Sequence, residues 1–201
     1  MTNTKLNEGG IASIFTSAAI VVALVLAISA AWYFSTGENA PEASDNSGIV
    51  VRHFALSETE EPNVGIRIGQ VAPNFVDAND DSFSLIGHRD NIVVLDMMAT
   101  WCEPCKTEMG HLKELYTNYS DRGVVIMSID IDPTESDEEI RQFATKFGDH
   151  WVFASGPSVG VTYGVNYIPT LYIIDQQGHI TYKNDEVTTY SMLTAEIDKL
   201  L

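Results

Sequence analysis

Only two cysteines occur in the 201 residues, and both lie inside the stretch Trp101-Cys102-Glu103-Pro104-Cys105. That scarcity excludes a scaffold stapled by several disulfides and a four-cysteine zinc centre, which needs a second pair. Base is scarce too: 11 Lys and Arg stand against 28 Asp and Glu, a formal charge of −17. Such a surface repels a phosphate backbone, so nucleic acid is excluded as a partner, and anionic lipid headgroups are disfavoured on the same ground. No internal repeat is visible. Charged residues make up only 19% and hydrophobic residues 45%, a balance that fits a globular protein.

Charge is missing altogether from Ile11 to Phe34, and only Ser13, Thr16, Ser17 and Ser29 interrupt its apolar character. About 20 apolar residues span a bilayer core, so the run reads as a single transmembrane anchor, with Trp32 and Tyr33 at its far end suited to the interface. Ser29-Ala30-Ala31 offers a small-residue cleavage site, but the run exceeds the about 7–15 residues of a signal-peptide core, which favours an uncleaved anchor. Lys5 precedes the run, and no base follows it until Arg52. The positive-inside rule therefore places residues 1–10 in the cytoplasm and the remainder outside. Residues 35–64, with Gly37, Pro41, Ser44 and the acids Glu58, Glu60 and Glu61, read as an extracytoplasmic linker. Within it, Ile49–Leu56 has the composition of a strand that folds onto the domain.

From Gly65 to Leu201 the pattern is that of one α/β domain. Ala72-Pro73-Asn74-Phe75 and Ser82–Leu85 read as a strand pair around an Asp77–Asp81 turn. Asn91–Met98 and Gly123–Asp130 are continuous apolar runs of the kind that strands buried on both faces show. Between them Pro104–Tyr119 reads as a helix, with Met109, Leu112, Leu115 and Tyr116 at helical spacing. Ser136 and Glu139 form a capping-box signature for a helix through Phe147, with Gly148 placed to end it. A short strand over Trp151–Phe153 and a helical turn over Val159–Tyr163 come next. Thr170–Asp175 and His179–Lys183 form a hairpin about Gln176-Gln177-Gly178. A last helix from Thr188 to Leu201 is expected to bury Met192, Leu193, Ile197 and Leu200. This order implies a central mixed sheet with helices on both faces. The acids Asp130, Asp132, Glu135, Asp137, Glu138 and Glu139 read as a solvated face that also favours a helix N-terminus.

A disulfide closing a loop this short stabilises little in the chain-entropy account. The pair makes better sense as a dithiol that is repeatedly oxidised and reduced. The reactive species is the thiolate, and the N-terminus of a helix favours an anion. Cys102, expected to be partly exposed at that terminus, is the attacking sulfur; Cys105, one turn inward, resolves. Pro104 suits the first turn, and the Glu103 charge opposes the lowering of the thiol pKa. Half a zinc site is the blander alternative, but His111 alone does not supply the missing ligands.

The segment from Val94 through Asp96 and Trp101 to Lys106, paired with Ile168-Pro169-Thr170 downstream, resembles the thioredoxin superfamily. More narrowly it resembles its membrane-anchored TlpA/ResA/CcmG-like thiol–disulfide oxidoreductases. The likeness covers residues 65–201, including Ala72-Pro73-Asn74-Phe75 and a strand–helix insertion between Val124 and Val161. It implies a thioredoxin-like fold and a cis Pro169 lying against the dithiol. It further implies a substrate groove formed by Trp101, Glu103, Pro104, Ile168 and Pro169, and no cofactor beyond the dithiol. Asp96 matches the buried carboxylate of cytosolic thioredoxins, and Glu108 the glutamate near the thiols of ResA-like proteins. Having both departs from the narrower family and leaves open which acid takes the proton of Cys105.

The resemblance implies reduction of disulfides in exported proteins, apocytochrome c among them, with electrons from a transmembrane thiol carrier of the CcdA/DsbD kind. The same residues suit a disulfide oxidase or isomerase. A thiol peroxidase is a further alternative, although Ala99 stands where the peroxidatic pattern Pro-x-x-x-Thr-x-x-Cys has threonine. The expected location is the cell membrane, with a single pass and the catalytic domain outside.

Overall fold

In the computed structural model, which describes residues 48–57, 63–147 and 150–201, the run Ile92–Met98 forms β4 and is buried at every position. A strand buried on both faces needs partners on both edges. β4 has β5 (Val124–Asp130) parallel to it on one side and β7 (Thr170–Ile174) antiparallel on the other. Outward from β5 lie β6 (Val152–Ser155), then β1 (Arg52–Leu56), then the β2–β3 pair (Phe75–Asp77 and Asp80–Ser84). β8 (Ile180–Asn184) closes the opposite edge. Among the described residues the sheet thus has eight strands, mixed in direction.

Side chains alternate between the two faces of a strand. On β4, Val94 and Met98 point into the core beneath the long helix α1 (Glu103–Tyr119), while Val93, Leu95 and Met97 point into the second core. The first core also takes Ile140 and Phe143 of α2 (Asp137–Phe147) and Leu193 and Ile197 of α4 (Tyr190–Ile197). The second is packed by Phe54, Phe75, Tyr163 and Val159, the last from the short helix α3 (Pro157–Thr162). By the same alternation Asp96 belongs to the α1 face. The Ser136–Glu139 box forms as the sequence signals: the Ser136 N–H donates to the Glu139 carboxylate at 2.8 Å, and the Glu139 N–H returns to Ser136 Oγ at 3.4 Å.

The strand signalled within the span 35–64 forms as β1, with parallel partners on β6 and antiparallel ones on β2. Burial of Val51 and Phe54 holds it there. Two expectations about the last helix are corrected. Met192 is 38% exposed, because α4 presents Leu193 and Ile197 to the sheet and turns their neighbour outward. The last helix is also shorter than its pattern. Thr189 caps its start, accepting from the Met192 N–H, and the helix ends at Ile197. Among the described residues no helix is long and apolar enough to cross a membrane. The run 11–34, the acids Glu58, Glu60 and Glu61, and Gly148 lie outside the described residues.

Candidate active site

β4 ends at Met98, and a tight turn closed by the Cys102 N–H donating to the Ala99 carbonyl leads into α1. Cys102 is the residue that caps α1, with the Cys105 N–H aimed at its sulfur across 3.2 Å. An anionic sulfur at this place meets a backbone donor and the positive end of a 17-residue helix. The pair is joined as a disulfide with Cα atoms 5.2 Å apart. Cys105 is fully buried, and Cys102 is only 3% exposed, not partly open as the sequence implies. Bonded to Cys105 and sitting 3.8 Å from the Ile168 carbonyl oxygen, the Cys102 sulfur is covered from both sides. The Ile168–Pro169 peptide is cis, so the loop expected to lie against the dithiol does so.

Glu103 and Pro104 are exposed on the first turn of α1. The Lys106 ammonium pairs with Glu103 at 2.6 Å and holds that carboxyl below its usual range, so the charge near the sulfurs is largely answered. Trp101 stands 59% exposed at the rim of a groove of about 310 Å³, whose other walls include Asp132, Pro133, Tyr167 and Ile168. The indole Nε1 donates to Asp132 at 2.8 Å, which fixes the angle of that aromatic wall.

Two buried acids lie between the sheet and α1, Asp96 on β4 and Glu108 on α1. Asp96 is fully buried, and neither of its oxygens finds a hydrogen-bond donor. Burial first, and then the Glu108 charge, push its pKa well above the carboxylate range, while Ser128, its register neighbour on β5, opposes the shift. Glu108 accepts from the Thr188 backbone N–H at 2.6 Å through Oε1, and its Oε2 has no donor. Burial raises Glu108 to about 7, with the Thr188 donor and Asp96 holding it from going higher. The two acids, matched separately to two branches of one superfamily, therefore share one buried space. Burial favours the neutral form of Asp96, and Glu108, raised to about 7, falls within the range where thiols exchange.

The acid run after β5 departs from the solvated face expected of it. Asp130 is fully buried, and the Glu135 carboxylate reaches back across the chain to accept from both the N–H and the hydroxyl of Thr100. Only Asp137, Glu138 and Glu139 keep the role of a helix N-terminus. Thr188, Glu135 and Ser128 escaped the sequence reading because each acts from a distant strand or loop. Asp130 carried a legible signal: like Asp96, it is an acid within an apolar strand.

The sequence profile of the AhpC/TSA family matches residues 68–183. Thiol-disulfide oxidoreductase ResA of Bacillus thuringiensis (strain Al Hakam) is 35% identical over 119 residues, covering 57% of this chain and 68% of that protein. A protein of the same name from Bacillus cereus is 32% identical over 139 residues, covering 67% and 79%. A crystal structure of a putative thiol:disulfide interchange protein DsbE from Chlorobium tepidum superposes with a TM-score of 0.58 at 20% identity, over 68% of this chain and 99% of that one. That last likeness speaks for the fold, and the ResA relatives speak for the chemistry. The chain belongs to the AhpC/TSA family of thioredoxin-like proteins and is a thiol–disulfide oxidoreductase of the ResA type.

Proposed function

We propose that this oxidoreductase works as a membrane-tethered protein-disulfide reductase outside the cytoplasm, reducing cysteine pairs in exported proteins, with apocytochrome c as a candidate substrate. The Cys102 thiolate attacks one sulfur of the substrate disulfide, forming a mixed disulfide and releasing the first substrate thiolate. Cys105 gives its proton to the Glu108 carboxylate and attacks the Cys102 sulfur. The second substrate thiolate leaves, and the Cys102–Cys105 disulfide remains. Two electrons have passed to the substrate, and a dithiol donor of the CcdA/DsbD kind restores them across the membrane.

The observation that carries the reading is the buried Glu108, three residues along α1 from the buried inner cysteine, with its pKa raised to about 7. Such a base takes a proton at neutral pH and leaves it available for the return step. The apolar run Ile11–Phe34 supports the tether. Equilibration with glutathione and thioredoxin standards tests the direction. A reductase lies near the thioredoxin potential of about −270 mV, whereas a value near the about −120 mV of the strong oxidant DsbA would reverse the assignment. The AhpC/TSA match favours one second reading, a thiol peroxidase. Stopped-flow mixing of the reduced protein with one equivalent of hydrogen peroxide decides it, since a peroxidase would be oxidised within the dead time.

A further inference from the structure

The two residues that precede Cys102 are both tied to the loop following β5. Thr100 donates its N–H to Glu135 Oε2 at 2.9 Å and its hydroxyl to Oε1 of the same carboxylate. Trp101 donates its indole N–H to Asp132 Oδ2. A carboxylate that accepts two donors from one residue fixes position and direction together. The turn that delivers Cys102 to the tip of α1 is thereby anchored from outside its own strand and helix.

Behind this anchor sits Asp130, the last residue of β5 and the register partner of Met98 at the end of β4. It is fully buried; its Oδ1 accepts from the Asp132 N–H at 2.8 Å, and its Oδ2 has no donor. The charged groups facing it are Glu135 and Asp132, both from the following loop. β4 presents Met98 to it and β6 presents Ser155, neither of which carries charge. An ionised Asp130 would thus be a buried charge facing two partly exposed carboxylates, with no cation facing it among the described residues, and such a placement is costly.

We propose that Glu135 is a positioning residue for the attacking cysteine, and that Asp130 must stay neutral for the Glu135 grip on Thr100 to hold. The proposal rests on Cys102 being the sulfur that attacks. Glu135 touches neither substrate nor sulfur and acts through the Ala99–Cys102 turn. Burial, then the neighbouring Glu135, raise the Asp130 pKa to about 8, so the grip persists through neutral pH and weakens above it. The loop bearing Asp132 and Pro133 also walls the groove beside Trp101, so a loosened grip disturbs the groove and the dithiol together.

The test is the pH profile of kcat/KM for reduction of a disulfide-bonded peptide by the full chain, with unfolding midpoints recorded for every variant. Wild type should show a falling limb near pH 8, and Asp130→Asn should remove it, because an amide does not ionise. Glu135→Gln turns an N–H toward the Thr100 donor and should lower kcat/KM about tenfold or more, in line with the sensitivity of catalysis to small misplacements. Thr100→Val should lose activity, and Thr100→Ser, which keeps both donors, should recover it. An alkaline limb that survives in Asp130→Asn, or a Glu135→Gln profile overlying wild type at an equal unfolding midpoint, would overturn the proposal. Failure of wild type itself to reduce the peptide would instead sink the reductase reading, so the two outcomes stay distinct.

Discussion

The Thr188 backbone N–H reaches Glu108 Oε1 at 2.6 Å, although 80 residues separate the two in the chain. That single donor orients a buried carboxylate on α1 and leaves Oε2 free to accept a proton. Asp96 lies in the same space, where burial and the Glu108 charge favour its protonated form, so Glu108 rather than Asp96 is the expected acceptor at neutral pH. Glu108→Gln should therefore lower the rate of mixed-disulfide resolution about 100-fold at pH 8, the scale of general-base catalysis, and erase the rising limb near pH 7. Asp96→Asn should leave that limb in place with a smaller displacement. Quenched-flow resolution of a preformed mixed disulfide reads both, and a larger displacement in Asp96→Asn would reassign the base.

Roles within the dithiol follow from burial and from the cap. Cys105→Ser should accumulate covalent mixed disulfides through Cys102, because the captured partner can no longer be released. Cys102→Ser should accumulate none, since the remaining sulfur is fully buried. Non-reducing gels with mass spectrometry count the adducts, and equal trapping by both variants would contradict the division of labour.

Stability should run against the usual dependence on pH. A buried acid with a raised pKa binds its proton more tightly folded than unfolded. Between about 4, the unfolded carboxylate value, and the raised value, the folded state holds more protons, and stability falls as pH rises. Glu108 at about 7 and Asp130 at about 8 set this window, and Asp96 shifts in the same direction. The lowered carboxyls, Glu103, Asp132 and Glu139, act oppositely, but their contribution is lost only on acidification through their own lower range. Urea midpoints should thus be higher at pH 5 than at pH 8.5. A midpoint that climbs over that interval would mean the three acids are not buried as described.

Much of this architecture was legible beforehand, for reasons that particular residues show. The apolar runs at Asn91–Met98 and Gly123–Asp130 had the length and character of strands buried on both faces, and the spacing of Met109, Leu112 and Leu115 faced one side of a helix. The cysteine pair and Ile168-Pro169 carried their own signal in a few adjacent residues. The Thr188 donor, the Glu135 grip on Thr100 and the pairing of Asp96 with Glu108 did not, because each joins segments whose proximity the sheet order decides. Met192 misled for a related reason. A short helix with apolar residues on adjacent positions does not say which of them faces the sheet until the sheet is in place.

That distinction has a measurable energetic side. Leu95 is fully buried in the second core, so Leu95→Ala should cost about 2–5 kcal/mol in unfolding free energy, the range for large-to-small core changes. Met192→Ala, at an exposed position, should stay within about 0.5 kcal/mol. Denaturant titration measures both, and a larger loss at Met192 would place that side chain in the core after all.

The central claim is that the Cys102 sulfur is poised as an anion at the tip of α1, with Cys105 shielded below it. Site-resolved alkylation of the reduced protein between about pH 5 and 9, a range bracketing the ordinary thiol value near 8.5, measures this directly. Cys102 should react with a midpoint well below that value, and Cys105 should stay protected throughout. Two sulfurs alkylated at equal rates with an ordinary midpoint would contradict the account.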